Sequence, residues 1–212
     1  ETVIGLTFLD EGDEVLFSAP TYGAFADMAY LNGGVPVSVP VTEEQKFNLP
    51  AMKEKIGEKT KIVVICNPNN PTGRLIAGGL LEKILRVCRE NNIALFVDEC
   101  FLSLSDGGVD LTPFLSDFPQ LFILKAFTKS FGMAGLRLGY GLSADEALLR
   151  KMSAAVPPWN VSTLAQAAGV AALGDAGYQE ELKKIGQLVN IYDAAPHTQN
   201  AALDVAPVSY TH

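Results

Sequence analysis

The sequence predicts an α/β fold built on a mainly parallel sheet with helices on both faces. Three observations carry that expectation. Aliphatic runs such as "KIVVIC", "IALFV" and "LFIL" have strand length and little polar alternation, as strands buried on both faces do. Longer stretches of helical period stand between them, so strand and helix alternate along the chain. Polar residues cluster immediately after the aliphatic runs, where sheets of this kind take their ligands.

The elements follow in order. The first residues read as a helix already under way, and "DEVLFSAP" contains a short strand ending at Ala19-Pro20. Thr21 is placed to cap a helix through "YGAFADMAYLN" that stops at Gly33-Gly34. "VPVSVPV" is extended, and "LPAMKEKIG" is a helix with Gly57 just past its end. "KIVVICNP" is a buried strand broken at Asn67-Pro68. "AGGLLEKILRVCRENN" is an amphipathic helix with Leu80, Ile84, Val87 and Cys88 on one face. "IALFVDE", "LFILKAF" and "RLGYGL" are three further strands. After Ser143 the pattern is helical through "ADEALLRKMSAAV", "NVSTLAQAAGVAALGD" and "AGYQEELKKIGQLVNIYD", whereas residues 195–212 lose both periodicities and read as an irregular, non-native-looking tail.

Composition narrows the function. Of 212 residues, 48% are hydrophobic and 19% charged, enough to bury a sizeable core. The formal charge of −8 disfavours nucleic acid, whose phosphates need a basic face. No run of about eighteen apolar residues is present to span a membrane. With no signal peptide visible and no reason to pair its thiols, the chain is expected to be cytoplasmic. Cys66, Cys88 and Cys100 have no metal-binding spacing, and the two histidines, His197 and His212, lie near the end, so no metal site is expected. A dinucleotide fold lacks its G-x-G-x-x-G after a strand, and a hydrolase lacks its G-x-S-x-G.

Three strand ends hold unusual chemistry. "VVICNPNNPTG" runs a buried strand into asparagines fixed between prolines. "IALFVDEC" ends on Asp98, a carboxylate that needs a positive partner or several hydrogen bonds if it is buried. "LFILKAFTKSFGMAGLRLGY" brings Lys129 and then Arg137 into apolar company, where a lysine amine becomes nucleophilic. Lys125, at the strand end, is expected to keep its head in water. One ligand meets all these demands. Pyridoxal 5′-phosphate offers an aldehyde to the lysine amine, a ring nitrogen to the aspartate, a hydroxyl to an asparagine, a phosphate to the arginine and a face to an aromatic such as Tyr22.

The blocks "SAPTYGAF", "CNPNNPTG", "VDECF", "FTKSFGMAGLRLGY" and "PPWNVSTLAQAAG" resemble fold-type I pyridoxal-phosphate enzymes of the class I/II aminotransferase group. Within it, the chain is most similar to the branch of histidinol-phosphate aminotransferases and threonine-phosphate decarboxylases. The blocks stand in family order and cover roughly Glu1 to Leu173. The resemblance implies that Lys129 condenses with the cofactor and Asp98 pairs with its ring nitrogen. It gives Asn70 the ring hydroxyl and the substrate carboxylate, Tyr22 the ring face, Arg137 and Thr128 the phosphate, and Asn160 a place lining the substrate site. It also implies amino-group transfer on an amino acid or amino-alcohol phosphate, with a homodimer as the assembly.

Three departures qualify it. Phe101 replaces a tyrosine common in relatives, as in many threonine-phosphate decarboxylases, which keeps a pyridoxal-phosphate lyase as an alternative. Ala126 replaces a phosphate-binding hydroxyl. The family's carboxylate-binding arginine and its Gly-Ser phosphate cradle belong to segments outside this chain, so an inactive cofactor-binding fragment is a third reading. Residues 1–173 are thus expected to be a cofactor-binding large domain lacking its N-terminal part. Residues 174–194 would form a helix leading towards a small domain, and 195–212 the tail.

Overall fold

The computed structural model describes residues 2–178, 180–182 and 184. In chain order they form α1 (Thr2–Phe8), β1 (Glu14–Ala19), α2 (Ala24–Leu31), β2 (Val35–Pro40), α3 (Leu49–Lys55), β3 (Thr60–Cys66), α4 (Gly78–Glu90), β4 (Ala94–Asp98), β5 (Leu121–Ala126), α5 (Phe127–Ser130), β6 (Gly139–Leu142), α6 (Glu146–Ala155) and α7 (Thr163–Gly174). The strands make one sheet in the order β2-β1-β3-β4-β5-β6. β1 to β5 run parallel and β6 returns antiparallel along β5. The predicted architecture is therefore the observed one.

Strand geometry sends successive side chains to opposite faces, and two cores result. On one face Leu16, Val63, Ile65, Leu95, Val97, Leu121 and Ile123 pack with Met52 of α3 and with Leu81, Ile84, Leu85 and Cys88 of α4. On the other, Val15, Phe17, Ile62, Val64, Phe96 and Phe122 pack with Ile4 of α1, Phe25 and Met28 of α2 and Leu148 of α6. Each fully buried aliphatic side chain contributes about 1.5–3 kcal/mol, so the central strands anchor the fold. Asn48 caps α3, Asp145 caps α6 and Ser162 caps α7, each accepting from a backbone N–H of the first turn.

The start of α2 differs from expectation. Its N-cap is Gly23, which makes no side-chain cap bond, because the Thr21 hydroxyl is committed elsewhere. Of the helix expected over 174–194, residues 176–178 and 180–182 are helical. Residue 184 is helical too, Gly174 ends α7 and Asp175 is its C-cap, whereas residues 179, 183 and 185–194 and the tail over 195–212 lie outside the described residues.

Candidate active site

The strand alternation that builds the two cores also sorts the charges at the ends of β4 and β5. Asp98 follows Phe96 on the α1/α2/α6 face, in register with Cys66 on one side and Leu124 on the other. Glu99 follows Val97 to the opposite face. Lys125, one position past Leu124, shares that face with Glu99.

Lys125 accordingly does not sit with its head in water. Its ammonium lies 3.1 Å from Glu99 Oε2 and 3.0 Å from Asp110 Oδ1, with the lysine side chain 22% exposed and the Glu99 side chain 0%. Burial pushes the Glu99 carboxyl up, against the pull of Lys125 and of the Leu111 N–H that it accepts. Burial alone would lower Lys125, but Glu99 and Asp110 hold it above its ordinary value. A buried ion pair thus ties the end of β4 to the end of β5. A cavity of about 380 Å³ opens beside it, lined by Glu99, Asp110, Lys125 and Tyr140 among others. Asp98, Lys129, Asn70 and Tyr22 do not line that cavity, though Phe127 and Ser130 of the helix that carries Lys129 do.

Asp98 is 6% exposed. Its Oδ1 accepts from the Cys100 N–H at 2.9 Å, closing a tight turn at the strand end. Burial raises its pKa, while the Cys100 bond and the positive charge of Lys129 pull the other way. The charge of Lys129 is thus felt at the Asp98 carboxylate. Lys129 lies in α5, directly after β5, and its Nζ stands 5.4 Å from the centre of the Phe101 ring. Phe101 thus keeps the ring expected of this position and supplies a face to the lysine in place of a hydroxyl. α5 is pinned by Ser130 Oγ donating to the Ala126 carbonyl at 3.1 Å and by Tyr178 Oη donating to the Ser130 carbonyl at 2.9 Å.

Thr128 is half-buried on the same short helix. Arg137 is exposed, ends a 3-10 turn over Ala134–Leu136 with φ 53, and donates from Nη1 to the Ala134 carbonyl at 3.1 Å. A left-handed arginine is uncommon and marks a position under local constraint. Tyr22 is 39% exposed and meets Phe25 edge-on at 5.6 Å between ring centres.

The three asparagines have separate jobs. Asn67 is fully buried, and its Oδ1 accepts from Ile76 N at 2.9 Å, fixing the base of the loop. Asn69 bonds Thr21, Pro20 and Thr72. Asn70 is half-buried, and its amide forms no hydrogen bond among the described residues. Asn160 is exposed, next in the chain to Trp159, itself 96% exposed, and makes no hydrogen bond among the described residues.

Sequence reasoning gave no role to Glu99 or Asn69 and left Lys125 in water. Strand parity could have found the Glu99–Lys125 pair, because both fall on one face once the registers of β4 and β5 are aligned. Asn69 left no such signal, since its partner Thr21 lies 48 positions away. Burial pushes the Cys88 thiol up to about 12, so it is a packing residue and not a nucleophile. No group of histidine, cysteine and carboxylate residues able to hold a metal occurs among the described residues. No helix among them is long and apolar enough to cross a membrane.

A primary amine whose charge reaches a buried carboxylate, each placed where one of two adjacent parallel strands ends, can hold a carbonyl compound and govern a proton next to it. Comparison with known proteins agrees with a site of that class. The profile of the family described as aminotransferase class I and II matches residues 1–190. A histidinol-phosphate aminotransferase 2 of Carboxydothermus hydrogenoformans is 36% identical over 184 residues, covering 85% of this chain and 50% of the relative. An aromatic amino acid aminotransferase of Rhodococcus opacus is 32% identical over 168 residues, covering 79% of this chain and 46% of the relative. Among solved structures, the histidinol-phosphate aminotransferase of Clostridium acetobutylicum superposes with a TM-score of 0.80 at 28% identity, over 91% of this chain and 57% of that one. The chain belongs to the class I and II aminotransferase family, and it spans about half the length of the curated relatives it matches.

Proposed function

We propose that this chain carries the cofactor site of a pyridoxal 5′-phosphate-dependent aminotransferase acting on an amino acid or amino-alcohol phosphate, as a cytoplasmic homodimer. The observation that carries the reading is the influence of the Lys129 charge on the buried Asp98 carboxylate, the one in the helix that follows β5 and the other at the end of β4. The surrounding donors fit that cofactor: an uncommitted amide at Asn70, an aromatic at Tyr22 and an arginine at Arg137. The relatives named above are aminotransferases, which supports transamination and gives the decarboxylase alternative no support.

When bound, the cofactor supplies an aldehyde for the substrate amine and a ring that takes up an electron pair. The protein's residues do the rest. Lys129 Nζ holds the cofactor and moves the proton at the substrate α-carbon. Asp98 keeps a proton on the ring nitrogen, and its burial strengthens that contact, since little water competes for the charge. Asn70 bonds the ring hydroxyl and the substrate carboxylate. Tyr22 covers one ring face, Arg137 and Thr128 hold the phosphate, and Asn160 borders the substrate.

The test is an absorbance spectrum of the purified protein with added pyridoxal phosphate. A band near the visible edge is expected in the native protein and absent from Lys129→Ala, and a band that survives the substitution overturns the assignment. Amino transfer is then read with histidinol phosphate or an aromatic amino acid and a keto-acid acceptor. Release of carbon dioxide without an acceptor would instead identify a lyase.

A further inference from the structure

One more assignment comes from the loops at the carboxyl ends of β1 and β3, and it rests on the cofactor reading above. These strands are sheet neighbours, yet the chain leaves β1 towards α2 on one face and leaves β3 towards α4 on the other. Where adjacent parallel strands send their chains to opposite faces, a cleft opens between the loops, and α/β sheets take ligands there. Tyr22 stands on one lip of this cleft and Asn70 on the other. The β1–β3 register ends at Phe17 and Val64, short of both loops. The spacing of the lips therefore depends on side chains.

Asn69 spans the gap. Its Oδ1 accepts from Thr21 Oγ1 at 2.8 Å, and its Nδ2 donates to the Pro20 carbonyl at 3.0 Å and to Thr72 Oγ1 at 2.9 Å. A carbonyl only accepts, so the Pro20 contact fixes which way the amide faces and demands a donor that aspartate lacks. The Asn69 backbone closes its own loop as well, its N–H donating to the Arg74 carbonyl at 2.9 Å and its carbonyl accepting from Gly73 N at 2.7 Å. The two tied residues, Thr21 and Asn69, are the chain neighbours of Tyr22 and Asn70. We propose that Asn69 is a positioning residue whose bonds across the cleft set the distance between Tyr22 at the cofactor's ring face and Asn70 at its ring hydroxyl.

Two measurements test this. Hydrogen exchange on the cofactor-free protein is expected to show residues 20–23 and 69–74 losing protection together in Asn69→Ala. Thr21→Val, which removes a single bond and spares the fold, is expected to reproduce a smaller loss on both loops. In the loaded protein, Asn69→Ala is expected to weaken cofactor binding about tenfold. It should also move the pH midpoint of the cofactor band in the same direction as Asn70→Ala, with the double variant adding little to Asn70→Ala alone. Asn69→Asp should not restore the midpoint. Loops that respond independently, or a midpoint unmoved while stability falls, overturn the proposal and leave the cofactor reading intact. Coupled loops in a native protein that binds no pyridoxal phosphate overturn both.

Discussion

Asp98 and Glu99 are chain neighbours whose carboxylates serve different purposes, and the pleat of β4 separates them. Both are driven up in pKa by burial. Glu99 answers with an ion pair that joins two strands, whereas Asp98 answers only in part, through the Cys100 side chain and backbone N–H and the field of Lys129. The sign of its contribution follows. With a folded pKa above the ordinary 3.8, Asp98 favours the folded state most below that value, and the contribution is lost as pH rises through the folded pKa. At neutral pH an ionised Asp98 therefore costs stability in the cofactor-free protein. Asp98→Asn keeps the acceptor for Cys100 and removes the charge. It is expected to raise the unfolding free energy at neutral pH by on the order of 1 kcal/mol and to flatten its dependence on pH above about 4, as read by denaturant titration. The same variant should abolish the cofactor chemistry proposed for the site.

At the scale of elements, β5, α5 and β6 form the unit that delivers the lysine. β6 lies against β5 through Gly139 and Gly141, opposite Ala126 and Leu124. A Cβ at Gly141 would stand 2.1 Å from Cζ of Phe122, whose ring stacks on Phe96 at 5.5 Å between centres. Gly141→Ala is therefore expected to cost about 1–3 kcal/mol by overpacking. The clash lies at β5, so the substitution should also disturb cofactor binding at Lys129 on α5. A drop in thermal midpoint with no change in the cofactor spectrum would show that α5 is held independently of β6. The helix α5 was not legible in the sequence: Phe127, expected within the strand, begins it. The strands β5 and β6 were legible, because aliphatic runs signal local structure directly. Caps were less so: Thr21 fits an N-cap by type, but a more distant partner, Asn69, claims its hydroxyl.

For the molecule as a whole, the sheet order sets a gradient of stability. β1, β3, β4 and β5 are paired on both sides, while β2 and β6 are edges with largely exposed or half-buried residues. Native-state hydrogen exchange should find the slowest amides in β3 and β4 and early opening of β2 and β6. Equal protection of β6 and β4 would contradict the order. The sequence alone determined the fold class and which polar residues directly follow the buried strands, because burial of a strand and the chemistry that follows it are written in consecutive letters. Tertiary structure alone decided which face each charge takes, that Lys125 is paired and that Asn69 bridges two loops. Those outcomes depend on register and on contacts between residues far apart in the chain, for which consecutive letters carry no code.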